Sequence, residues 1–110
     1  MIADLNYLRT MSGGDDRFIA EMISLFREQV KEYAAEMPRL LEAKDYLKLS
    51  KLAHKAKSSV SVMGMRDVAA SLKELEKLTV LEKDVERYDS MVGDFIEQCN
   101  QALLELENLS

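Results

Sequence analysis

Apolar residues recur along the chain at spacings of three and four, which is the period of one face of an α-helix. The longest stripe follows Asp15 and Asp16, either of which can cap a helix N-terminus with its side-chain oxygen. We expect this helix to end at Pro38, or to pass there into a short turn, because proline has no backbone N–H. The stripe comprises Phe18, Ile19, Met22, Leu25, Phe26, Gln29, Val30 and Tyr33.

Four other segments share this helical pattern. Gly13 and Gly14, after Ser12, separate a short N-terminal segment from the long helix, and Gly64 stops the third helix. The predicted helices cover residues 1–10, 15–38, 45–63, 67–78 and 84 onward. The fourth carries a stripe of Val68, Leu72, Leu75 and Leu78, and the fifth one of Tyr88, Met91, Val92, Phe95, Cys99, Ala102, Leu103 and Leu106.

Helices joined by short connections, without strand-like alternation, predict an all-α fold. We expect an antiparallel up-down four-helix bundle with a short additional N-terminal helix. Residues 1–110 are expected to form a single domain, since a chain of this length buries one core and is too short for two.

Composition narrows the class of protein. Hydrophobic residues make up 47% and charged residues 32% of the chain, as in a folded soluble protein. Cys99, the one cysteine, excludes an intramolecular disulfide and favours a reducing compartment. We find no signal peptide and no apolar run of the roughly 20 residues that span a bilayer. We therefore expect a cytoplasmic protein that does not contact a membrane.

Charge is unevenly distributed. The formal net charge of −5 argues against nucleic acid as the main partner. Residues 44–66, however, hold six basic residues and one acidic residue, a net charge of +5, whereas the rest of the chain carries −10. This basic segment contains His54, the only histidine, and its positive field would attract an anionic group or an acidic partner surface.

A helical wheel places His54 away from the core. At about 100° per residue, the apolar side chains of the third helix lie roughly 160° to 260° from His54. They are Leu49, Leu52, Ala53, Ala56, Val60 and Met63, whereas Ser50, Lys51, Lys57, Ser58 and Ser61 lie within about 60° of it. His54 is thus predicted at the centre of an exposed face of lysines and serines.

Several roles for this histidine can be weighed from the sequence. No Cys, Asp or Glu lies one helical turn away to complete a metal site, and no Ser-His-acid arrangement is evident. Neighbouring lysines disfavour the imidazolium, so a neutral ring would keep a nitrogen lone pair near neutral pH. Such a ring can accept a phosphoryl group, and Lys57 could balance the phosphate charge. An idle surface histidine remains the alternative, and Cys99 is expected to pack in the core.

The residues around His54 resemble the histidine phosphotransfer (HPt) domain family. Its motif is a histidine, a lysine three residues later, small residues after the lysine, and a glycine ten positions from the histidine. These positions are occupied here by His54, Lys57, Ser58, Ser59 and Gly64. The resemblance covers nearly the whole chain and includes Leu5, Gly13, Phe18, Phe26, Asp45 and the pair Leu75-Glu76.

Two positions depart from the family pattern. Ser58 stands where the family usually has glycine, which lets a partner approach closely, and we expect the small serine to be tolerated. Ala56 replaces a larger aliphatic residue and is expected to affect core packing more than chemistry.

The resemblance implies a phosphocarrier without kinase activity of its own. His54 would accept a phosphoryl group from the aspartate of a receiver domain, in a response regulator or hybrid kinase, and pass it to another receiver. Lys57 would balance the phosphate charge, and Lys51 and Lys55 would steer the acidic receiver site. The docking surface would include Ser58, Ser61 and Gly64. The receiver would supply the divalent metal ion, so this chain would need no cofactor, and we expect a monomer.

Two alternatives remain open. The chain could be a helical adaptor or regulatory bundle without phosphate chemistry, since fold does not fix function. It could also be the phosphorylation domain of a chemotaxis-type kinase, which takes its phosphoryl group from an ATP-binding domain. The chain contains no Gly-rich phosphate loop of its own.

Overall fold

The computed structural model describes residues 2–109, with side-chain contacts for residues 2–107, so the predicted helical position of Met1 and the last residue of the expected 1–110 domain lie outside it. Five α-helices follow one another along this part of the chain. They are α1 (Leu5–Ser12), α2 (Asp16–Glu42), α3 (Tyr46–Val62), α4 (Arg66–Leu81) and α5 (Tyr88–Leu109), the last preceded by a 3₁₀ turn at Val85–Arg87. α2 packs on α3, α3 on α4, α4 on α5 and α5 on α2, while α1 lies against α2. The predicted bundle with an additional N-terminal helix is confirmed.

The helix ends follow local sequence signals. Asp15 accepts hydrogen bonds from the backbone N–H groups of Arg17 and Phe18, and Asp45 accepts one from Lys48, so both aspartates cap helices. Gly13 and Gly64 follow α1 and α3 with φ angles of 68° and 72°, in the left-handed region that glycine adopts without strain. The turn at Gly64 reverses the chain and brings α3 and α4 side by side.

Pro38 does not end α2, contrary to the sequence prediction. The helix continues to Glu42 with Pro38 inside it on the exposed side. Met37 and Leu40 on either side of the proline are buried in the core. Because burial of two large side chains offsets the missing hydrogen bond, the helix persists beyond the proline.

Side chains from the four long helices form one core. Its largest fully buried members include Phe26, Tyr33, Met37, Leu49 and Tyr88. Tyr88 donates to the carbonyls of Leu78 and Lys83 at 2.8 and 2.6 Å, which satisfies its hydroxyl. Tyr33 forms a 2.6 Å hydrogen bond with Ser59 and so joins α2 to α3.

Two apolar side chains in the N-terminal half of α2 are more exposed to solvent than the apolar stripe predicts. Phe18 and Leu25 are exposed, although both belong to the predicted stripe. α2 has 27 residues and α3 has 17, so α3 ends before it reaches the beginning of α2. Of the two, Leu25 lies beside the end of α3, where it lines a groove with Ser58 and Val62.

Candidate functional site

His54 projects from the middle of α3 into solvent. Its side chain is 64% exposed, whereas Ala53 and Ala56 on the opposite side of the helix are fully buried. Small alanines allow α3 to pack closely on its neighbours, and the wheel prediction for His54 is confirmed. The imidazole is therefore accessible to a partner on a rigid helix.

Glu76 of α4 binds the imidazole. One carboxylate oxygen, Oε2, lies 2.8 Å from Nδ1 of His54, and Oε1 lies 3.2 Å from the same nitrogen. Nζ of Lys57 donates to Oε1 at 3.3 Å. His54, Glu76 and Lys57 thus form one network across the α3–α4 interface.

This geometry selects one tautomer of the ring. A carboxylate only accepts hydrogen bonds, so Nδ1 of His54 must carry the proton that it shares with Glu76. In the neutral ring the lone pair is then on Nε2. Within residues 2–107, Nε2 makes no hydrogen bond. The neutral ring thus carries its lone pair on Nε2, while Glu76 holds Nδ1 in place.

Glu76 is held as a carboxylate. Partial burial disfavours its charged form, but hydrogen bonds from His54 and Lys57, together with their charges, outweigh this and lower the pKa of Glu76 below its usual 4.5. Near neutral pH the network therefore contains a negative charge directly beside Nδ1 of His54.

The basic segment is less positive than its sequence indicates. Lys55 pairs with Glu32 of α2 at 3.2 Å, and Lys57 pairs with Glu76. Lys51 is exposed and has no ion pair within the described residues. The lysines around His54 are therefore not uncompensated, contrary to the sequence prediction, because carboxylates from α2 and α4 offset the charge of two of them.

The other predicted site residues occupy different places. Ser58 is exposed and lines a shallow groove between α2 and α3 with Leu25 and Val62. The exposed Ser61 donates to the carbonyl of Lys57 at 2.7 Å, which uses its hydroxyl within α3. Both serines lie on the side of α3 that carries His54.

Gly64 lies apart from this face, in the α3–α4 turn. It is ten residues from His54, which is about 15 Å along a helix axis. A Cβ atom there would lie 2.7 Å from Cβ of Asp4 and 3.3 Å from Cδ1 of Tyr7. Close packing of the N-terminal segment accounts for this glycine, independently of any role in partner docking.

Sequence reasoning missed Glu76 as a site residue. Its position one residue after Leu75 lies off the apolar stripe of α4, so periodicity indicates only an exposed acid. The pair Leu75-Glu76 belonged to the family pattern, but the pattern alone did not give the acid a role. The α3–α4 register, which pairs residues 22 positions apart, supplies that information.

The described part of the chain contains neither a candidate metal site nor a candidate membrane-spanning helix. No cluster of three or more His, Cys, Asp or Glu side chains there is suited to hold a metal ion. None of its helices combines the length and the apolar character needed to cross a membrane.

Comparison with known proteins places this geometry in a family. The family model described as Hpt domain matches residues 21–109, a span that includes His54, Lys57 and Glu76. No curated protein and no solved structure gives a significant match. Hpt domains are helical bundles that act as histidine phosphocarriers in phosphorelays with receiver domains, in agreement with the bundle and the exposed imidazole. Since the matched span covers most of the chain and carries the histidine site, the protein belongs to the Hpt domain family.

Proposed function

We propose that His54 accepts a phosphoryl group from the aspartyl phosphate of one receiver domain and passes it to an aspartate of another. The observation that supports this most strongly is the 2.8 Å contact between Nδ1 and Glu76, which places the lone pair of the neutral ring on Nε2 at an exposed surface. A neutral imidazole with a free lone pair is a nucleophile for phosphorus. The chain needs no ATP site for this reaction, because the phosphoryl group arrives activated.

No proton has to move during the transfer, because each bond that forms is matched by one that breaks. Nε2 of His54 forms a bond to phosphorus while the bond between phosphorus and the aspartate oxygen breaks, and the aspartate leaves as a carboxylate. The ring, still protonated on Nδ1, gains positive charge as the N–P bond forms. Glu76 faces that nitrogen and stabilises the charge. Transfer to the second receiver is the reverse sequence of bond changes.

Lys57 balances the charge of the phosphoryl group. Its Nζ already lies beside the ring through its contact with Oε1 of Glu76. When a phosphoryl group occupies Nε2, the ammonium can turn toward the phosphoryl oxygens while Glu76 keeps its contact with Nδ1. The divalent metal ion belongs to the receiver, so no metal site is needed on this chain.

Receiver docking uses the surface around His54. Lys51 and Lys55 attract the acidic phosphorylation site of a receiver. The small side chains of Ser58 and Ser61 allow the receiver to approach this face of α3 closely. Leu25 and Val62 add exposed apolar area in the groove that Ser58 lines. Gly64 contributes indirectly, because it stabilises the α3–α4 turn at the end of the helix that carries this surface. A single copy of the chain presents all these groups, which favours a monomeric carrier.

A transfer assay tests the proposal. A receiver domain carrying labelled aspartyl phosphate is mixed with the wild-type chain or with His54→Gln, and the label on each protein is followed. We expect rapid, acid-labile labelling of the wild type, none of His54→Gln, and slower labelling of Lys57→Ala. A Lys31→Ala variant removes a lysine from the exposed side of α2 and should behave as wild type. Equal labelling of wild type and His54→Gln would exclude His54 as the acceptor.

A further inference from the structure

Two buried hydroxyl groups converge on the backbone of Glu76. Ser50 is 5% exposed and Thr79 is 1% exposed, and in the part of the chain with described side chains they are the only buried polar residues apart from the core tyrosines Tyr33 and Tyr88. Oγ of Ser50 donates to the Glu76 carbonyl at 3.3 Å, and Oγ1 of Thr79 donates to the same oxygen at 3.0 Å. Thr79 also bonds the carbonyl of Leu75 at 2.8 Å.

Packing alone does not require these hydroxyls. Where α3 approaches its neighbours elsewhere, the buried small residues are Ala53 and Ala56. A serine at position 50 adds only one oxygen to an alanine, and burying it costs free energy unless it finds a partner. The wheel placed Ser50 on the exposed face with His54, but the structure turns it toward α4. The contact of Ser50 with the Glu76 carbonyl therefore accounts for its hydroxyl.

The hydrogen bonds of Ser50, His54 and Thr79 all lead to Glu76 and join α3 to α4. Ser50 precedes His54 by one turn of α3, so both side chains reach α4 from the same helix. Ser50 binds the backbone of Glu76, and His54 binds its side chain. Thr79 holds the same carbonyl from within α4. One acidic residue is thus fixed at its main chain and at its carboxylate.

We propose that Ser50 and Thr79 are positioning residues that set the place of Glu76, so that its carboxylate holds the proton on Nδ1 of His54. Loss of the two hydroxyls frees the α4 backbone at Glu76 to shift relative to α3. A small shift is sufficient, because the hydrogen bond to Nδ1 weakens steeply with distance and angle. The consequence for phosphotransfer rests on the proposed function, whereas the effect on the imidazole tautomer does not.

The direct test is ¹⁵N NMR of the His54 ring across pH. Ser50→Ala, Thr79→Val and their combination are compared with wild type, and Thr79→Ser retains the hydroxyl. In wild type we expect the Nδ1–H form to predominate in the neutral ring. In the double variant we expect a shift toward the Nε2–H form that a free imidazole prefers, and Thr79→Ser should resemble wild type.

The control removes a similar hydroxyl elsewhere. Thr10 donates to the carbonyl of Asn6 at 2.9 Å inside α1, so Thr10→Val deletes the same kind of bond far from Glu76. It should leave the His54 tautomer unchanged. Should the double variant fail to fold, each single variant gives the same readout with a smaller shift. A folded variant without the hydroxyl that keeps the wild-type tautomer overturns the proposal.

A second readout links the hydroxyls to Glu76. We expect Ser50→Ala with Thr79→Val to slow phosphotransfer about three- to tenfold, as loss of a hydrogen bond would. In a Glu76→Ala background the same two substitutions should have no further effect, because the group that they position is gone. An equal slowing in both backgrounds would contradict the proposal. If the wild type accepts no phosphoryl group at all, the proposed function fails and the tautomer measurement still decides this inference.

Discussion

Glu76 fixes the tautomer of the neutral His54 ring, because its carboxylate accepts the proton of Nδ1. The carboxylate faces Nδ1 at 2.8 Å and also accepts a hydrogen bond from Lys57, so one acid connects the imidazole with the ammonium group. An exposed imidazole without such a contact would exchange freely between its tautomers. In the present site the contact with Glu76 already holds the ring in one orientation, so the proposed transfer would need little reorganisation.

At the residue scale, the lowered pKa of Glu76 predicts a pH-dependent stability. Because the folded-state pKa lies below 4.5, the ionised carboxylate stabilises the fold above about pH 4.5, and this contribution disappears as the pH falls through the folded value. We expect Glu76→Gln to lower the free energy of unfolding by about 0.5–1.5 kcal/mol at pH 7. Near pH 3 the difference from wild type should be much smaller. Urea unfolding at the two pH values measures both.

Glu74 provides the matched control for that measurement. It lies exposed on the same helix and has no ion pair within the described residues, so Glu74→Gln should change stability little at either pH. A Glu76→Gln effect of the same size at pH 3 and pH 7 would show that charge on Glu76 does not stabilise the fold.

Cys99 is chemically inert in this arrangement. It is completely buried in α5, and burial raises the pKa of its thiol to about 12. A thiol that stays protonated and inaccessible neither reacts nor ligates a metal. The cysteine therefore acts as a core side chain, as its place in the apolar stripe predicts.

At the element scale, α3 is held on both sides. α2 contacts it through the hydrogen bond between Tyr33 and Ser59 and through the ion pair between Glu32 and Lys55. α4 contacts it through Glu76, and the N-terminal segment joins the end of α3 where the Asp4 N–H donates to the Met63 carbonyl at 3.1 Å. These contacts fix the orientation of α3, and with it the direction in which His54 projects.

The α3–α4 turn predicts a large cost for Gly64→Ala. A side chain at φ 72° is strained, and its Cβ would lie 2.7 Å from Cβ of Asp4, so both the turn and the N-terminal segment must shift. We expect a loss of about 2–4 kcal/mol in the free energy of unfolding. Denaturant unfolding monitored by circular dichroism measures it.

Substitutions at two other glycines distinguish the cost of the positive φ angle from the cost of the contact with Asp4. Gly14 has φ 82° but no atom within 4 Å of an added Cβ, so Gly14→Ala should cost only about 1–2 kcal/mol. Gly93 lies inside α5 with open space around it, and Gly93→Ala should stabilise the protein by about 0.5–1 kcal/mol. Similar losses for Gly64→Ala and Gly14→Ala would mean that contact with Asp4 contributes nothing.

At the scale of the whole molecule, exposed apolar side chains lie both beside the face that carries His54 and away from it. Leu25 on α2 is 61% exposed in the groove beside Ser58, and Leu104 on α5 is 57% exposed away from it. If the receiver docks over the groove, a charged side chain at position 25 removes apolar contact and repels an acidic partner.

This pair of leucines gives a matched test of docking. We expect Leu25→Glu to weaken receiver binding about tenfold or more, seen as a higher receiver concentration for half-maximal transfer, with little change in the rate at saturation. Leu104→Glu should transfer as wild type does. Equal effects of both substitutions, or none at Leu25→Glu, would place docking elsewhere on the surface.

The sequence determines the architecture well because helical periodicity is a local property. Stripes at three-and-four spacing identified the four long helices, and the wheel oriented His54 correctly because its helix has a clear apolar side. The same local information predicted a stop at Pro38 and burial of Leu25. Both failed because packing by other helices decides whether a proline is tolerated and whether a side chain is covered.

The candidate site was predictable only in part for the same reason. His54 and Lys57 are one turn apart on one helix, so sequence spacing brings them together. Glu76 and Ser50 acquire their roles from the register between α3 and α4, which depends on the packing of the whole bundle. The family resemblance implied the reaction, and the structure adds an acid that contacts the histidine.

The most direct test of the central claim is to identify the atom that carries the phosphoryl group. The chain is phosphorylated by a receiver domain charged with phosphate and is examined by ³¹P and ¹⁵N NMR. We expect a single phosphohistidine at His54, with phosphorus bonded to Nε2 and the proton retained on Nδ1, and no such signal in His54→Gln. Phosphorus on Nδ1, or on any other residue, would contradict it.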